Sequence, residues 1–120
     1  MKRTGTTNQH MEALISELKR QAIEKEQPLW KRIATDLERS TRQRRVVNLS
    51  RINRFTSEGD LIVVPGKVLS SGELDHSLTI AAWRFSDQAR KKISEHKAKA
   101  ISINELMNTN IKGKKIKIIG

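Results

Sequence analysis

The chain has no cysteine and no tyrosine, only two prolines, and four aromatic side chains in all: Trp30, Phe55, Trp83 and Phe85. Lack of cysteine excludes a disulfide framework and a thiolate metal site, and it suits a reducing cytoplasm. Proteins that read single strands on aromatic platforms need several stacking faces. Four aromatics are too few to spare from a core, so aromatic stacking is not expected to dominate recognition here. Long apolar runs are also missing. None exceeds four residues, Leu61 to Val64 being one, against about 20 for a membrane-spanning helix. Met1-Lys2-Arg3-Thr4-Gly5-Thr6 is charged, but no apolar stretch follows it, so a secretory signal is not expected.

Acids are scarce relative to bases. Thirteen Asp and Glu face 24 Lys and Arg, a formal net charge of +11 in 120 residues with a pI near 10.5. A net charge of about 2–8 serves a small domain's solubility. The excess adds self-repulsion that a polyanionic partner would neutralise. Of the two such partners, nucleic acid and an anionic membrane surface, the apolar pattern supports only the first. Hydrophobic residues make up 36%, below the usual share for globular chains, so one domain over residues 1–120 with a thin core is expected.

The expected order begins with an extended arm over residues 1–7 and a helical part over 8–39. Met11, Leu14, Ile15, Leu18 and Ala22 recur at helical spacing from an N-cap at Asn8. Pro28 opens a second helix with Trp30, Ile33, Ala34 and Leu37 in one stripe, so Trp30 reads as a core anchor. Residues 46–120 read as strands alternating with helices. Val46-Val47-Asn48 is a short strand, and Ser50 caps a short helix through Phe55. Leu61 to Val64 is a strand closed by Pro65-Gly66, and Lys67 to Leu69 is a second short strand. Leu78 to Trp83 alternates as a strand with both faces covered. Ser86 caps a helix from Asp87 to about Lys97, with Ala89 and Ile93 as its buried stripe. Ser102 and Glu105 form a capping box and Ile101 and Leu106 a hydrophobic staple, predicting a helix over 103–108. Ile116, Ile118 and Ile119 make the last strand.

Three stretches concentrate the positive charge: Arg39 to Arg54, Arg84 to Lys99, and Lys112 to Lys117. The first and third contain no acid, so pairing along a helix face cannot neutralise them. Arginine dominates the first, and its planar fork suits bidentate phosphate contact. Arg39, Arg42, Arg44, Arg45, Arg51 and Arg54 are therefore expected to clamp phosphates. Asn48 is expected to bond either the sugar–phosphate backbone or its own chain. Lys67, Ser70 and Ser71 lie in a loop whose backbone amides can approach RNA. Arg84, Arg90, Lys91, Lys97, Lys112, Lys114 and Lys115 are expected to form a second basic surface.

Two further readings stay open. The helix pair is compatible with a helix-turn-helix DNA reader, because Lys31, Arg32, Thr35, Asp36 and Arg39 offer polar side chains on the second helix. An RNA-modifying enzyme would have to draw on residues such as Ser86, His96 or Asp60. No signal places a nucleophile beside a base, and His10, His76 and His96 are scattered in polar settings. No His-x-x-x-His pair and no Gly-x-x-x-x-Gly-Lys-Ser/Thr loop occurs, so neither a metal nor a nucleotide cofactor is expected.

Several segments carry a family resemblance. Val46-Val47-Asn48-Leu49-Ser50-Arg51-Ile52 and Val63-Val64-Pro65-Gly66-Lys67-Val68-Leu69-Ser70-Ser71-Gly72 resemble the archaeal and eukaryotic large-subunit ribosomal protein family "L eighteen e". That family is related to the bacterial family "L fifteen". The run from Leu78 to Ile93, with Phe85-Ser86, Ala89 and Ile93, matches a pattern common to both. The likeness extends from about Asn8 to Gly120, and the short form without a long basic tail resembles the archaeal members. It implies an α/β fold, an irregular β-β-α superhelix of short strands preceded by two helices. It also implies a structural, non-enzymatic role in the cytoplasm, in the large ribosomal subunit. The implied partners are large-subunit ribosomal RNA and neighbouring ribosomal proteins, with no membrane, small-molecule substrate or cofactor. One departure is the corner after Ile93. Many relatives carry glycine there, whereas this chain has His96-Lys97-Ala98-Lys99, so the helix is expected to end differently.

Overall fold

The computed structural model describes the backbone of residues 6–43, 46–108 and 115–119, and the side chains of 10–39, 46–108 and 115–119. The chain divides into two compact units at Gln43/Arg44.

The first unit is a helical hairpin of α1 (Thr6–Glu24) and α2 (Pro28–Gln43). Met11, Leu14 and Leu18 supply the buried stripe of α1, and Trp30, Ile33, Ala34 and Leu37 that of α2, as the helical spacing predicts. Trp30 is fully buried, and its indole N–H donates to Gln27 Oε1 at 2.6 Å, which satisfies its one polar atom. The chain turns at Glu26, whose φ is +51°. There the Gln27 N–H reaches back to the Ala22 carbonyl at 3.2 Å. Two boundaries differ from the sequence expectation. Thr6 and Thr7 belong to α1 rather than to an arm, and α2 runs on to Gln43. Once a helix is nucleated, each added residue gains a backbone bond for little further cost.

The second unit is a parallel five-stranded sheet with three helices: β1 (Val46–Asn48), α3 (Leu49–Arg54), β2 (Leu61–Leu69), β3 (Thr79–Phe85), α4 (Asp87–Glu95), β4 (Lys99–Ser102), α5 (Ile103–Met107) and β5 (Ile116–Ile118). The whole is α/β with short, parallel strands. Strand order is β1-β2-β3-β4, and β5 also pairs with β2. β1 holds Lys67 to Leu69 and β5 holds Leu61 to Val63, so the two share one edge of β2 end to end while β3 occupies the other. Parallel strands covered on both faces read as continuous apolar runs, and Ile62, Val63, Val64, Ile80, Ala81 and Ala82 are all buried. Ile62, Val64, Val68, Ile80, Ala82 and Phe85 join Leu49, Ile52, Leu74, Ala89 and Ile93 in the main core. α5 adds buried Ile103, Leu106 and Met107.

Three local expectations hold in detail. The Ser86 hydroxyl accepts from the Ala89 N–H at 3.1 Å. In the capping box, the Ser102 hydroxyl accepts from the Glu105 N–H, and the Ser102 N–H donates to the Glu105 carboxylate, both at 3.0 Å. Val46 to Asn48 and Ile116 to Ile118 are strands. Two expectations are corrected. Pro65-Gly66 does not close a strand, because β2 runs through it with a register slip between Val64 and Lys67. Three residues of β2 there span what two of β3 span, and such a bulge accommodates a proline without an N–H to donate. Ser50 is not a cap either. Asn48 is the N-cap of α3, with no side-chain capping bond, and the Ser50 N–H instead donates to the Ser71 carbonyl at 3.0 Å.

The corner after α4 keeps the geometry that glycine favours, with lysine in it. The helix ends at Glu95, earlier than expected, and Lys97 takes φ +59°. The Ala98 N–H bonds the Ile93 carbonyl at 3.0 Å and the Lys97 N–H the Ser94 carbonyl at 3.1 Å. This is the Schellman pattern with its apolar contact between the two ends, since Ile93 and Ala98 are both in the core.

Candidate nucleic-acid interface

The register of β1, β2 and β3 builds a cationic row. Val46, Lys67 and Arg84 are aligned across the three strands, as are Val47, Val68 and Phe85 one step later. Side chains alternate between faces along a strand, and burial follows. The second row is core, whereas Val46, Lys67 and Arg84 are exposed. Lys67 and Arg84 therefore stand side by side on the solvent face, toward the C-terminal ends of β2 and β3. The Arg84 guanidinium lies 5.6 Å from the centre of the Trp83 ring, and that of Arg90 lies 5.2 Å from Phe85. Stacking of this kind restrains a long side chain while leaving its N–H donors available.

The loop after β2 is held from beneath. Lys92 Nζ donates to the carbonyls of Ser70 and Gly72, both at 2.9 Å, and pairs with the Glu73 carboxylate at 3.0 Å. The Ser71 N–H donates to Asn48 Oδ1 at 3.2 Å, so of its two expected partners Asn48 bonds its own chain. Ser70 Oγ donates to Gln88 Oε1 at 3.3 Å. Gly72 has φ +95°, and a Cβ there would fall 2.5 Å from Ser50 Cβ. These contacts fix residues 70–72 against the start of α3 and the body of α4.

The other expected cations separate into groups. Arg51 and Arg54 are exposed on the last turn of α3. Arg90 and Lys91 are exposed on α4, and among the described residues neither they nor Lys67 forms an ion pair. Lys97 precedes β4 and Lys115 precedes β5, both at the N-terminal edge of the sheet. They are thus divided from Arg84 by the length of the strands rather than gathered with it on one surface. Lys115 and Lys99 flank a shallow cleft of about 600 Å³ at that edge, floored by Leu61, Ile101 and Leu106. Arg39 is exposed on α2 of the first unit, and only the backbone of Arg42 is described. Arg44, Arg45, Lys112 and Lys114 lie outside the described residues.

Sequence reasoning missed two features. Lys92 was submerged in a basic run, and its structural role depends on a loop twenty residues earlier in the chain. Phe55, assigned to no site, is 53% exposed, so one aromatic is spared from the core after all. Three positive charges of the first unit, by contrast, pair locally: Arg20 with Glu17 and Glu24, Lys19 with Glu38 at 3.2 Å, and Arg32 with Asp36 at 3.7 Å. Two of the polar side chains on α2 that a DNA reader would use, Arg32 and Asp36, are thereby engaged with each other.

The residues an enzyme would draw on have structural partners. Ser86 is a cap, and His96 Nδ1 lies 2.9 Å from the Lys92 carbonyl. Asp60 bonds Lys117 at 3.0 Å and the Ser57 N–H at 2.9 Å. Those two contacts, the Ser57 N–H first, hold its carboxyl below the usual range. Thr56, His76 and Asp75 follow one another at 2.7 Å each in the order of a catalytic triad. Yet the Thr56 hydroxyl also lies 2.7 Å from the Ile52 carbonyl, which only accepts. That carbonyl competes with the imidazole for the hydroxyl's one proton, and the trio ties the end of α3 to the loop that precedes β3.

Fold and surface together define a small α/β protein with exposed arginines and lysines on its sheet edge and no assembled catalytic group among the described residues. Over residues 27–96 the chain matches the family described as ribosomal proteins 50S-L15, 50S-L18e and 60S-L27a. It is 42% identical over 118 residues to large ribosomal subunit protein eL18 of Methanospirillum hungatei, covering 98% of each chain. Against the protein of that name from Methanococcus maripaludis, identity is 39% over 119 residues and 99% of each chain. Against that from Sulfurisphaera tokodaii it is 45% over 101 residues, 84% of this chain and 82% of the relative. The chain belongs to this family of ribosomal proteins, which are structural components and not enzymes.

Proposed function

We propose that this protein is a structural constituent of the large ribosomal subunit in the cytoplasm, holding ribosomal RNA through phosphate contacts and lying beside other subunit proteins. The observation that carries this reading is the adjacent, exposed Lys67 and Arg84 at the C-terminal edge of the parallel sheet; Arg90, stacked on Phe85, and Lys91 are exposed on α4, the helix that follows β3. Ser70 and Ser71, braced by Lys92 and Asn48, supply a rigid loop beside these cations. Arg51, Arg54, Lys97, Arg39, Arg42, Arg44, Arg45, Lys112, Lys114 and Lys115 are further phosphate contacts on this reading, made away from that edge or on other elements. The protein acts as a single ribosomal-protein domain, the helical hairpin and the sheet working together in the assembled particle.

The test is binding to an in vitro transcript of a large-subunit ribosomal RNA fragment across a salt series. If about 6–10 phosphates are neutralised, affinity falls roughly 10³–10⁵-fold between 50 and 200 mM salt. The double variant Lys67→Ala/Arg84→Ala should flatten the log–log slope by about 1.4–1.8, from about 0.7–0.9 per phosphate contact. A shallow wild-type slope, or a double variant with an unchanged one, refutes the assignment.

A further inference from the structure

Phe55 is placed where folding gains little from it. It is the C-cap of α3, and the residue is 53% exposed, whereas Trp30 and Phe85 are buried and Trp83 is partly covered. Much of the stabilisation that full burial of a phenyl ring brings is forgone here. The backbone beneath the ring is nonetheless firmly held. The Phe55 N–H bonds the carbonyls of Arg51 and Ile52, each at 3.3 Å, and its own carbonyl accepts from Lys117 Nζ at 3.4 Å. The next residue, Thr56, is tied to Ile52 and His76 at 2.7 Å. Arg51 sets its guanidinium 5.7 Å from the ring centre, and Arg54, the preceding residue, is exposed. A rigidly mounted aromatic, backed by one guanidinium and flanked by another, has the chemistry that unpaired bases recognise: a π-face for the base and a cation for the adjoining phosphate.

We propose that Phe55 is a stacking platform for one unpaired nucleobase of the bound RNA, with Arg51 backing the ring and Arg54 contacting a neighbouring phosphate. This rests on the RNA-binding reading above, and adds to its phosphate contacts a contact with a base. An aromatic face tolerates every base, so the platform fixes the register of an unpaired nucleotide and requires no particular one.

The test uses the full chain and the ribosomal RNA transcript, with dissociation constants measured by filter binding over a potassium chloride series. Phe55→Ala should weaken binding roughly 5- to 150-fold, the range for one lost base stack, with the salt slope unchanged because no phosphate contact is lost. Phe55→Trp should bind within about threefold of the wild type, since indole also stacks. Arg54→Ala should instead flatten the slope by about 0.7–0.9. Because the ring is exposed, thermal melts of the variants should match the wild type, which separates lost binding from misfolding. Wild-type affinity in Phe55→Ala, beside a normally steep wild-type slope, overturns the stacking proposal alone. The same holds if that variant binds RNA normally but fails to enter assembled subunits, which would assign the ring to a protein neighbour. A wild type that does not bind the transcript sinks both readings.

Discussion

Substituting Gly72 by alanine tests the geometry on which the interface loop depends. The added Cβ meets Ser50 Cβ at 2.5 Å, Ser50 N at 2.7 Å and Ser50 Cα at 2.8 Å, where carbon atoms rest at about 3.5–4.0 Å. These are mostly backbone atoms, so no flexible tip can swing aside, and the two segments must part by roughly 1 Å to restore such spacing. Parting stretches the Ser50 N–H bond to Ser71 O, now 3.0 Å, and the Ser71 N–H bond to Asn48 Oδ1, now 3.2 Å. Each such bond contributes about 0.5–1.5 kcal/mol. At φ +95°, alanine adds about 1–3 kcal/mol of backbone strain. Together these place the cost at about 2–6 kcal/mol, a large share of a typical domain's 5–15. Gly59 is the matched control. Its φ is +83°, but a Cβ there meets nothing within 4 Å, so Gly59→Ala should show the strain alone. Equilibrium urea unfolding of the two variants reads the steric part as their difference. If Gly72→Ala costs no more than Gly59→Ala, residues 70–72 are not packed on α3 and the account of the loop is wrong.

Three further outcomes are expected. Lys92→Met keeps the side-chain bulk but removes donors to Ser70 O, Gly72 O and Glu73; it should cost about 1–3 kcal/mol and speed amide hydrogen exchange in residues 70–73. Lys97→Gly should raise the melting temperature by about 2–5 °C, because a left-handed lysine costs about 1–2 kcal/mol against about 0.5–1 for glycine's freedom in the unfolded chain. Lys97→Ala, which keeps the Cβ, should leave it nearly unchanged, and a lower melting temperature for the glycine variant would refute the φ of +59°. Acid should destabilise the fold in part through Asp60. Its carboxyl is held below its usual value by the Ser57 N–H and by Lys117. That contribution is present above the unfolded value and is lost as pH falls through the folded one. Asp60→Asn should therefore flatten the decline in melting temperature below about pH 4.

What was legible in the sequence was local. The Ser102–Glu105 box and the Ser86 cap join residues three apart, and the Trp30–Ile33–Ala34–Leu37 stripe needs only helical periodicity, so each can be read from a short window. Pro65-Gly66 misled because it punctuates locally. The strand continues through it only because β3 lies along one edge of β2 while β5 and β1 occupy the other. The candidate site was legible by charge and not by place. Lys67 and Arg84 are seventeen residues apart in sequence and adjacent only through strand register. Lys97 and Lys115 looked like companions of Arg84 but precede β4 and β5 at the N-terminal edge of the sheet, whereas Arg84 lies near the C-terminal end of β3. Lys92 could not be told from Lys91 by composition. One points outward, and the other spends its three protons on a loop contributed by β2.

The net charge of +11 is not spread evenly, and its distribution favours the ribonucleoprotein reading. Exposed ion pairs stabilise by only about 0–1 kcal/mol, so stability alone gives little reason either to make them or to avoid them. In the helical hairpin they are made: Arg20, Lys19 and Arg32 each have a carboxylate partner. At the N-terminal edge of the sheet Lys117 has Asp60. Lys67, Arg90 and Lys91 pair with no acid among the described residues, although seven acidic side chains, Glu58, Asp60, Glu73, Asp75, Asp87, Glu95 and Glu105, lie in the same unit. Bringing like charges together without partners adds repulsion in the free protein. A phosphate backbone laid against them removes that repulsion and releases counterions in the same step. On this reading the cations that limit the stability of the isolated chain are the ones that set its affinity, and bound RNA should stabilise the fold by mass action.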